Sequence, residues 1–164
     1  MIAVVFDLDG TLIESVAETK IYSKDGKLLR SYKNDSDVVV NTGEVISFED
    51  FNDFEILLKA KKLKLFKQME LLTTDDEYAV YILTARSSSR LIADWLDIEG
   101  VDNVDVIAMN EPPFDSAYTY ESIANRKRLV LETLIDMYDK VIFYDNDPAN
   151  INAVKDLKLK AIKV

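Results

Sequence analysis

Between Val4 and Leu12 the chain reads VVFDLDGTL, which sets two carboxylates, Asp7 and Asp9, and a hydroxyl, Thr11, at alternate positions behind a short apolar run. Two carboxylates this close push their proton affinities apart, so that one stays ionised while the other carries a proton. Such a pair can divide nucleophilic or cation-binding work from proton transfer. Ile2 to Phe6 has the β-branched and aromatic composition of a buried strand, and Gly10 punctuates it with a turn. The acids therefore leave the carboxyl end of a strand, where open α/β sheets place their ligands. Asp-x-Asp-Gly also occurs in solvated turns and calcium loops, but a calcium loop needs Asp or Asn at every second position. That alternation fails at Thr11.

Composition narrows the chemistry further. The sequence of 164 residues has no Cys and no His, which excludes disulfides, thiolate nucleophiles, histidine acid/base catalysis and the usual zinc ligand sets. What remains is carboxylates, hydroxyls, Lys, Arg and hard metal ions. A formal net charge of -10 is the wrong sign for broad binding to a phosphate backbone. Two basic islands stand out, Lys59 to Lys67 (KAKKLKLFK) and Asn125 to Arg128 (NRKR). In the first, Leu58, Leu63, Leu65 and Phe66 interleave with the lysines, so it reads as the solvated face of a helix. No apolar run reaches the length of a bilayer span and no basic leader precedes an apolar segment, so the expectation is a soluble cytoplasmic protein with no membrane partner.

The elements that would position the acids form a regular rhythm. Ile2 to Phe6, Ala79 to Leu83, Val104 to Met109 and Lys140 to Tyr144 read as buried strands, with Ala161 to Val164 as a possible fifth. Leu91 to Leu96 and Arg128 to Tyr138 carry helical spacing between them. Strands alternating with helices predict an α/β fold, a doubly wound, Rossmann-like parallel sheet with helices on both faces. A 48% hydrophobic content can fill one such domain, residues 1–164. Residues 14–73 break the rhythm: Thr19 to Tyr32 is a hairpin centred on Asp25-Gly26, followed by apolar Val38 to Val40 and a helix within Asp53 to Leu72. With too few apolar residues for a core of its own, this segment reads as a small cap or flap insertion leaning over the strand ends. Its aromatics, Tyr22, Tyr32, Phe48, Phe51 and Phe54, read first as packing and second as a platform for a base or sugar.

The opening motif has companions. Thr84-Ala85-Arg86 follows the second core strand, Asp145-Asn146-Asp147-Pro148-Ala149-Asn150 follows a later one, and Lys127 opens a predicted helix between them. This ordered set resembles the haloacid dehalogenase (HAD) superfamily of phosphohydrolases over nearly the whole chain outside the insertion, and most specifically in DLDGTL. The pattern is also similar to short phage-encoded hydrolases and to the phosphatase halves of polynucleotide-repair enzymes.

The resemblance implies a phosphatase with an aspartyl-phosphate intermediate: Asp7 as nucleophile, Asp9 as general acid and base, Lys127 as a fixed positive charge, and Thr84 on the phosphoryl group. Gly10, Thr11 and the backbone amides of Ala85 and Arg86, at a helix start, would help bind that group. Mg2+ would be held by Asp7, the main-chain carbonyl of Asp9, Asp145 and Asn146, the last standing where many relatives have an acid. Asp147 is a candidate water-mediated ligand, and Asn150 either caps the next helix or braces Asp145. Arg126 and Arg128 compete with Lys127, which is favoured because it stands four before Leu131 and seven before Leu134, on the side facing the sheet. Thr84 alone would be an ordinary helix cap.

The implied substrate is a phosphorylated small molecule or a nucleic-acid end, first among them a nucleotide or a nucleic-acid 3′-phosphate. A sugar or organic phosphate, a catalytically idle binding module on the same fold, and a phosphotransfer receiver domain are the rivals. A receiver would carry its Asp after a later interior strand, and an idle module would be expected to have lost Asp7 or Asp9. Oligomeric state stays open between monomer and dimer.

Overall fold

The computed structural model describes residues 1–34, 37–114 and 122–164. In chain order the strands are β1 (Ile2–Phe6), β2 (Ile13–Glu14), β3 (Thr19–Tyr22), β4 (Leu28–Tyr32), β5 (Val45–Ser47), β6 (Lys61–Lys62), β7 (Tyr78–Thr84), β8 (Val104–Ala108), β9 (Lys140–Asp145) and β10 (Lys160–Lys163). The helices are α1 (Phe54–Leu57), α2 (Lys64–Leu72), α3 (Ser89–Glu99), α4 (Ile123–Met137) and α5 (Pro148–Ala153). The chain divides into two compact units, residues 1–14 with 61–164, and residues 15–60.

The first unit is built on a five-stranded parallel sheet in the order β10-β9-β1-β7-β8, the doubly wound arrangement expected from the alternation of strands and helices. Its central strand β1 is covered on both faces, and Ala3, Val4, Val5 and Phe6 are all buried, which is why it reads as a continuous apolar run. Alternate residues serve opposite faces. Ala3 and Val5 join Tyr81, Leu83, Val141 and Phe143 in one cluster with Val130, Leu131 and Leu134 of α4. The other face holds buried Val4, Phe6 and Ile82, and α2 and α3 meet there edge to face through Phe66 and Trp95, ring centres 5.5 Å apart. Phe6 is in register with Ile82 on one side and Tyr144 on the other; β9 runs one residue and β7 two residues further, and Asp7, Thr84 and Asp145 lie along the same edge of the sheet.

The second unit contains the expected hairpin: β3 and β4 pair antiparallel around Asp25-Gly26, with Gly26 at φ +82° where a side chain would be strained. β5 adds to the other edge of β3. Lys20 bonds both Asp50 (2.6 Å) and Glu49 (3.1 Å), and Glu49 also accepts from the Tyr22 hydroxyl at 2.5 Å, which ties a 3-10 turn over Glu49–Asn52 to this sheet.

Two local expectations differ from the structure. Apolar Val38 to Val40 lies outside any strand with Val39 and Val40 exposed, and β5 lies five residues later. The single helix expected within Asp53 to Leu72 is two helices, because β6 intervenes and pairs with β2. The lysine run 59–67 is therefore not one helix face, and residues 61–73 belong to the first unit, held by the β2–β6 ladder and the burial of Phe66 and Met69. Within the 14–73 segment, Asp35 and Ser36 lie outside the described residues. Among the described residues no helix is long and apolar enough to cross a membrane.

Candidate active site

Asp7 is the residue directly after β1, and its amide donates to the Tyr144 carbonyl at 2.8 Å, continuing the sheet ladder one step past the strand. The chain then turns sharply: the amides of Leu12 and Ile13 both donate to the Leu8 carbonyl, and Gly10 sits at φ +82°. A Cβ at Gly10 would lie 2.3 Å from Asn146 Nδ2, so only glycine lets the loop after β9 close against the loop after β1. Thr11 completes the turn, its hydroxyl donating to Asp7 Oδ2 at 3.2 Å and, more weakly, to Asn146 Oδ1 at 3.5 Å.

Lys127 ties the site together. Its Nζ lies 2.7 Å from Asp7 Oδ1 and 2.8 Å from Asp145 Oδ2, with 1% of its side chain exposed. The register argument for Lys127 over its neighbours holds, since Leu131 and Leu134 are buried on the same side of α4. Arg126, also buried, instead donates to the carbonyls of Met109 (2.5 Å) and Phe114 (2.8 Å) and to Asn110 Oδ1 (2.9 Å). Arg128 pairs with Glu132 and Asp156.

Asp145 is fully buried and takes three donors, which leaves an acceptor site on Oδ1: Oδ2 accepts from Lys127 and from Asn150 Nδ2 (2.9 Å), and Oδ1 accepts from the Asp147 amide (2.8 Å). Asn150 thus braces Asp145, and the helix cap falls to Asp147, whose side chain accepts from the Ala149 amide at the start of α5.

The electrostatics follow from one ammonium shared by two buried carboxylates. Burial pushes Asp7 up to about 6; Lys127 pulls it back, and Asp145 raises it again. For Lys127 burial works against the charge, but Asp7 and Asp145 together outweigh it and hold the ammonium above its usual range. The two directions look contradictory for an ion pair, where the acid should fall as the base rises. They agree because burial, the largest influence on Asp7, outweighs the pull of Lys127, and Asp145 adds to the rise.

Arg86 is the part that the sequence reading placed differently. Its side chain, 2% exposed, grips Asp9 with both prongs, Nε to Oδ2 at 2.9 Å and Nη2 to Oδ1 at 2.7 Å. Its amide donates to the Thr84 hydroxyl at 3.2 Å. The expected helix start behind Thr84 is displaced: α3 begins at Ser89, capped by Ser88, whose hydroxyl accepts from the Leu91 amide. Ala85 and Arg86 therefore lie in a loop rather than in a helical first turn, and Thr84, fully buried, is no helix cap. The serine run before Leu91 was the available signal for this cap. No local signal marks the Arg86–Asp9 fork, whose partners are 77 residues apart.

The structure thus brings Asp7, Thr11, Lys127, Asp145 and Asn146 into one bonded group and Asp9, Thr84 and Arg86 into an adjoining one, linked through the Asp7 to Thr11 loop. Among the described residues no three acidic side chains form a cluster arranged to hold a metal ion.

No family model and no curated protein matches this sequence. Solved structures do. A HAD-superfamily hydrolase, subfamily IA, variant 1, from Geobacter sulfurreducens is similar with a TM-score of 0.57 and 12% identity, over 99% of this chain and 89% of that one. A chain in the structure of the Pnkp1/Rnl/Hen1 RNA repair complex is similar with a TM-score of 0.53 and 15% identity. There the match covers 99% of this chain but spans only 42% of the repair chain. At these identities the likeness establishes the fold, which is HAD-like.

Proposed function

We propose that this HAD-like domain hydrolyses phosphate monoesters, with Asp7 as nucleophile. The observation that carries the reading is the buried Asp7–Lys127–Asp145 bridge at the carboxyl edge of the sheet. A structural role does not call for two buried acids on one lysine, because removing ions from water is costly and apolar packing would serve a core better. A phosphoryl-transfer site has a use for it, since an attacking carboxylate must meet an anionic substrate beside fixed positive charge.

In the proposed reaction an Asp7 carboxylate oxygen attacks phosphorus as the bond to the leaving oxygen breaks, and Asp9 gives that oxygen its proton. Asp9 then takes a proton from water, the hydroxide attacks the aspartyl-phosphate, and the phosphorus bond to Asp7 breaks to release phosphate. Lys127 holds Asp7 in position, and Arg86, which engages both Asp9 oxygens, fixes the direction of Asp9 while releasing one oxygen to carry the proton. Thr84 and Thr11 offer hydroxyls to the phosphoryl oxygens, in place of the contacts they make within the protein.

The residues present fit a hard divalent cation. The surplus negative charge of the Asp7–Lys127–Asp145 group is unbalanced within the protein, and all neighbouring acceptors are oxygens. Mg2+ bound by Asp7, Asp145, Asn146 and the Asp9 carbonyl would neutralise that charge and the substrate's. A set with two side-chain carboxylates accords with the reluctance of Mg2+ to shed its waters, and Asn146 in place of an acid lowers the site's affinity.

The substrate reading is a phosphorylated nucleotide or nucleic-acid end. It is supported by the likeness to a chain from an RNA repair complex, at the level of fold. A panel of phosphate esters assayed with Mg2+ tests the mechanism, comparing the wild type with Asp7→Asn. The reading expects turnover by the first and loss of at least ~1000-fold in the second, the scale on which removing a covalent nucleophile acts. Equal rates for the two proteins would end it.

A further inference from the structure

The lysine run that the sequence presents as a helix face has a different setting in the structure. Lys61 and Lys62 form β6, which pairs antiparallel with β2, Lys62 opposite Ile13 and Lys61 opposite Glu14. The Leu63 amide then donates to the Leu12 carbonyl at 2.8 Å, and Lys64 and Lys67 follow on the first turns of α2. Leu12 is the neighbour of Thr11, whose hydroxyl touches Asp7. The basic run is thus hydrogen-bonded to the loop that carries the proposed nucleophile.

Its charges are also available. Lys61, Lys64 and Lys67 are exposed, and among the described residues Lys64 and Lys67 pair with no acid. Lys61 meets only Glu14, at 3.9 Å with both side chains largely in water, a contact of negligible strength. Lys62 differs: it pairs with Glu99 and lies over the Phe66 ring, 4.8 Å from its centre, so it secures β6 to the first unit and leaves the other three to present charge.

Three unneutralised lysines within seven residues are unusual on a chain of net charge -10. Among the described residues Lys155, Lys158, Lys160 and Lys163 are likewise exposed without an acid partner; the 61–67 run is set apart by its hydrogen bond through Leu63 to the loop that carries Asp7.

We infer that Lys61, Lys64 and Lys67 bind the backbone of a single nucleic-acid strand whose phosphorylated end enters the Asp7 site. This rests on the phosphatase reading for the end's destination, but the strip itself binds by charge and does not depend on turnover. Three lysines reach about three phosphates, so the contact is short and reads no sequence.

The test uses the full chain carrying Asp7→Asn, so that the end survives, and a dye-labelled 12-nucleotide single strand with a 3′-phosphate, its binding followed by fluorescence anisotropy between 50 and 200 mM salt. Three phosphate contacts predict a slope of log K against log salt of about -2. Changing Lys61, Lys64 and Lys67 to Gln in that background, all on the surface and without effect on folding, is expected to bring the slope to near zero and to weaken binding at least tenfold.

Unchanged binding by the triple variant overturns the inference. So does equal competition by polyglutamate, which would mark a generic polyanion surface or one for acidic proteins. In otherwise wild-type protein, a strip that binds with no hydrolysis of any phosphate ester sinks the phosphatase reading alone. Hydrolysis of mononucleotide phosphates with no lysine-dependent strand binding sinks the strip alone.

Discussion

Replacing Lys127 by Met removes the one cation between two buried acids while nearly keeping its volume, so the change isolates charge. Asp7 is 6% exposed and Asp145 fully buried, and neither can recover the lost partner from water. Breaking a buried pair by deleting one member costs about 3–5 kcal/mol. Two acids lose their partner here, which argues for the upper end, but two features limit the loss. Asp145 keeps Asn150 and the Asp147 amide, and Asp7, already pushed up to about 6, rises further without the ammonium and takes up a proton near neutrality. The net expectation is therefore about 3–5 kcal/mol, or roughly 6–20 °C in Tm for a chain of this size. Thermal denaturation followed by circular dichroism in EDTA at pH 7.5 measures it directly. Because proton uptake by Asp7 relieves the variant, its deficit should shrink at pH 5 and widen at pH 8. Adding Asp145→Asn to Lys127→Met should restore part of the loss, since it removes one of the stranded charges. A Lys127→Met protein melting within about 2 °C of wild type at pH 7.5 would refute the shared-cation account.

Two further outcomes follow from the same geometry. In metal-free wild type, Asp7 has a folded-state value near 6 against 3.8 unfolded, so the folded protein binds the extra proton between those limits and stability falls as pH rises from about 4 to about 6. The loss attributable to Asp7 is on the order of 3 kcal/mol; Asp7→Asn should flatten that segment of a Tm-against-pH curve, and an unaltered slope would reject the assignment. Arg86→Lys keeps the charge but not the fork on Asp9, so turnover should fall by at least ~10-fold with KM little changed; wild-type kcat in this variant would show that Asp9 needs no fixed direction.

What the sequence revealed and what it hid divide along physical lines. β1 and β9 were readable because a strand buried on both faces must be apolar throughout, and Asp7 and Asp145 because acids directly behind such strands are out of place in a core. Lys127 was separable from Arg126 and Arg128 because helical spacing to Leu131 and Leu134 is a local property. The Arg86–Asp9 fork was not readable, since it depends on where two loops from different strands meet. The start of α3 was misplaced because Thr84 and Ser88 are both competent caps, and only the length of β7 decides between them. β6 was invisible for a similar reason: Lys-Lys has no strand preference, and its ladder exists because β2 is there to pair with.

That ladder has a consequence for how the molecule can be taken apart. Glu14 and Lys61 are register partners, so the chain leaves the first unit and re-enters it at adjacent points. Every residue of the Asp7 and Asp9 groups, and all five strands of the parallel sheet, lie outside residues 15–60. A two-residue Asn-Gly turn could join β2 to β6 in their place without altering a strand of the large sheet. Residues 15–60 are thus a module spliced in at a single hairpin neck, and a different insertion could be grafted there without rewriting the site.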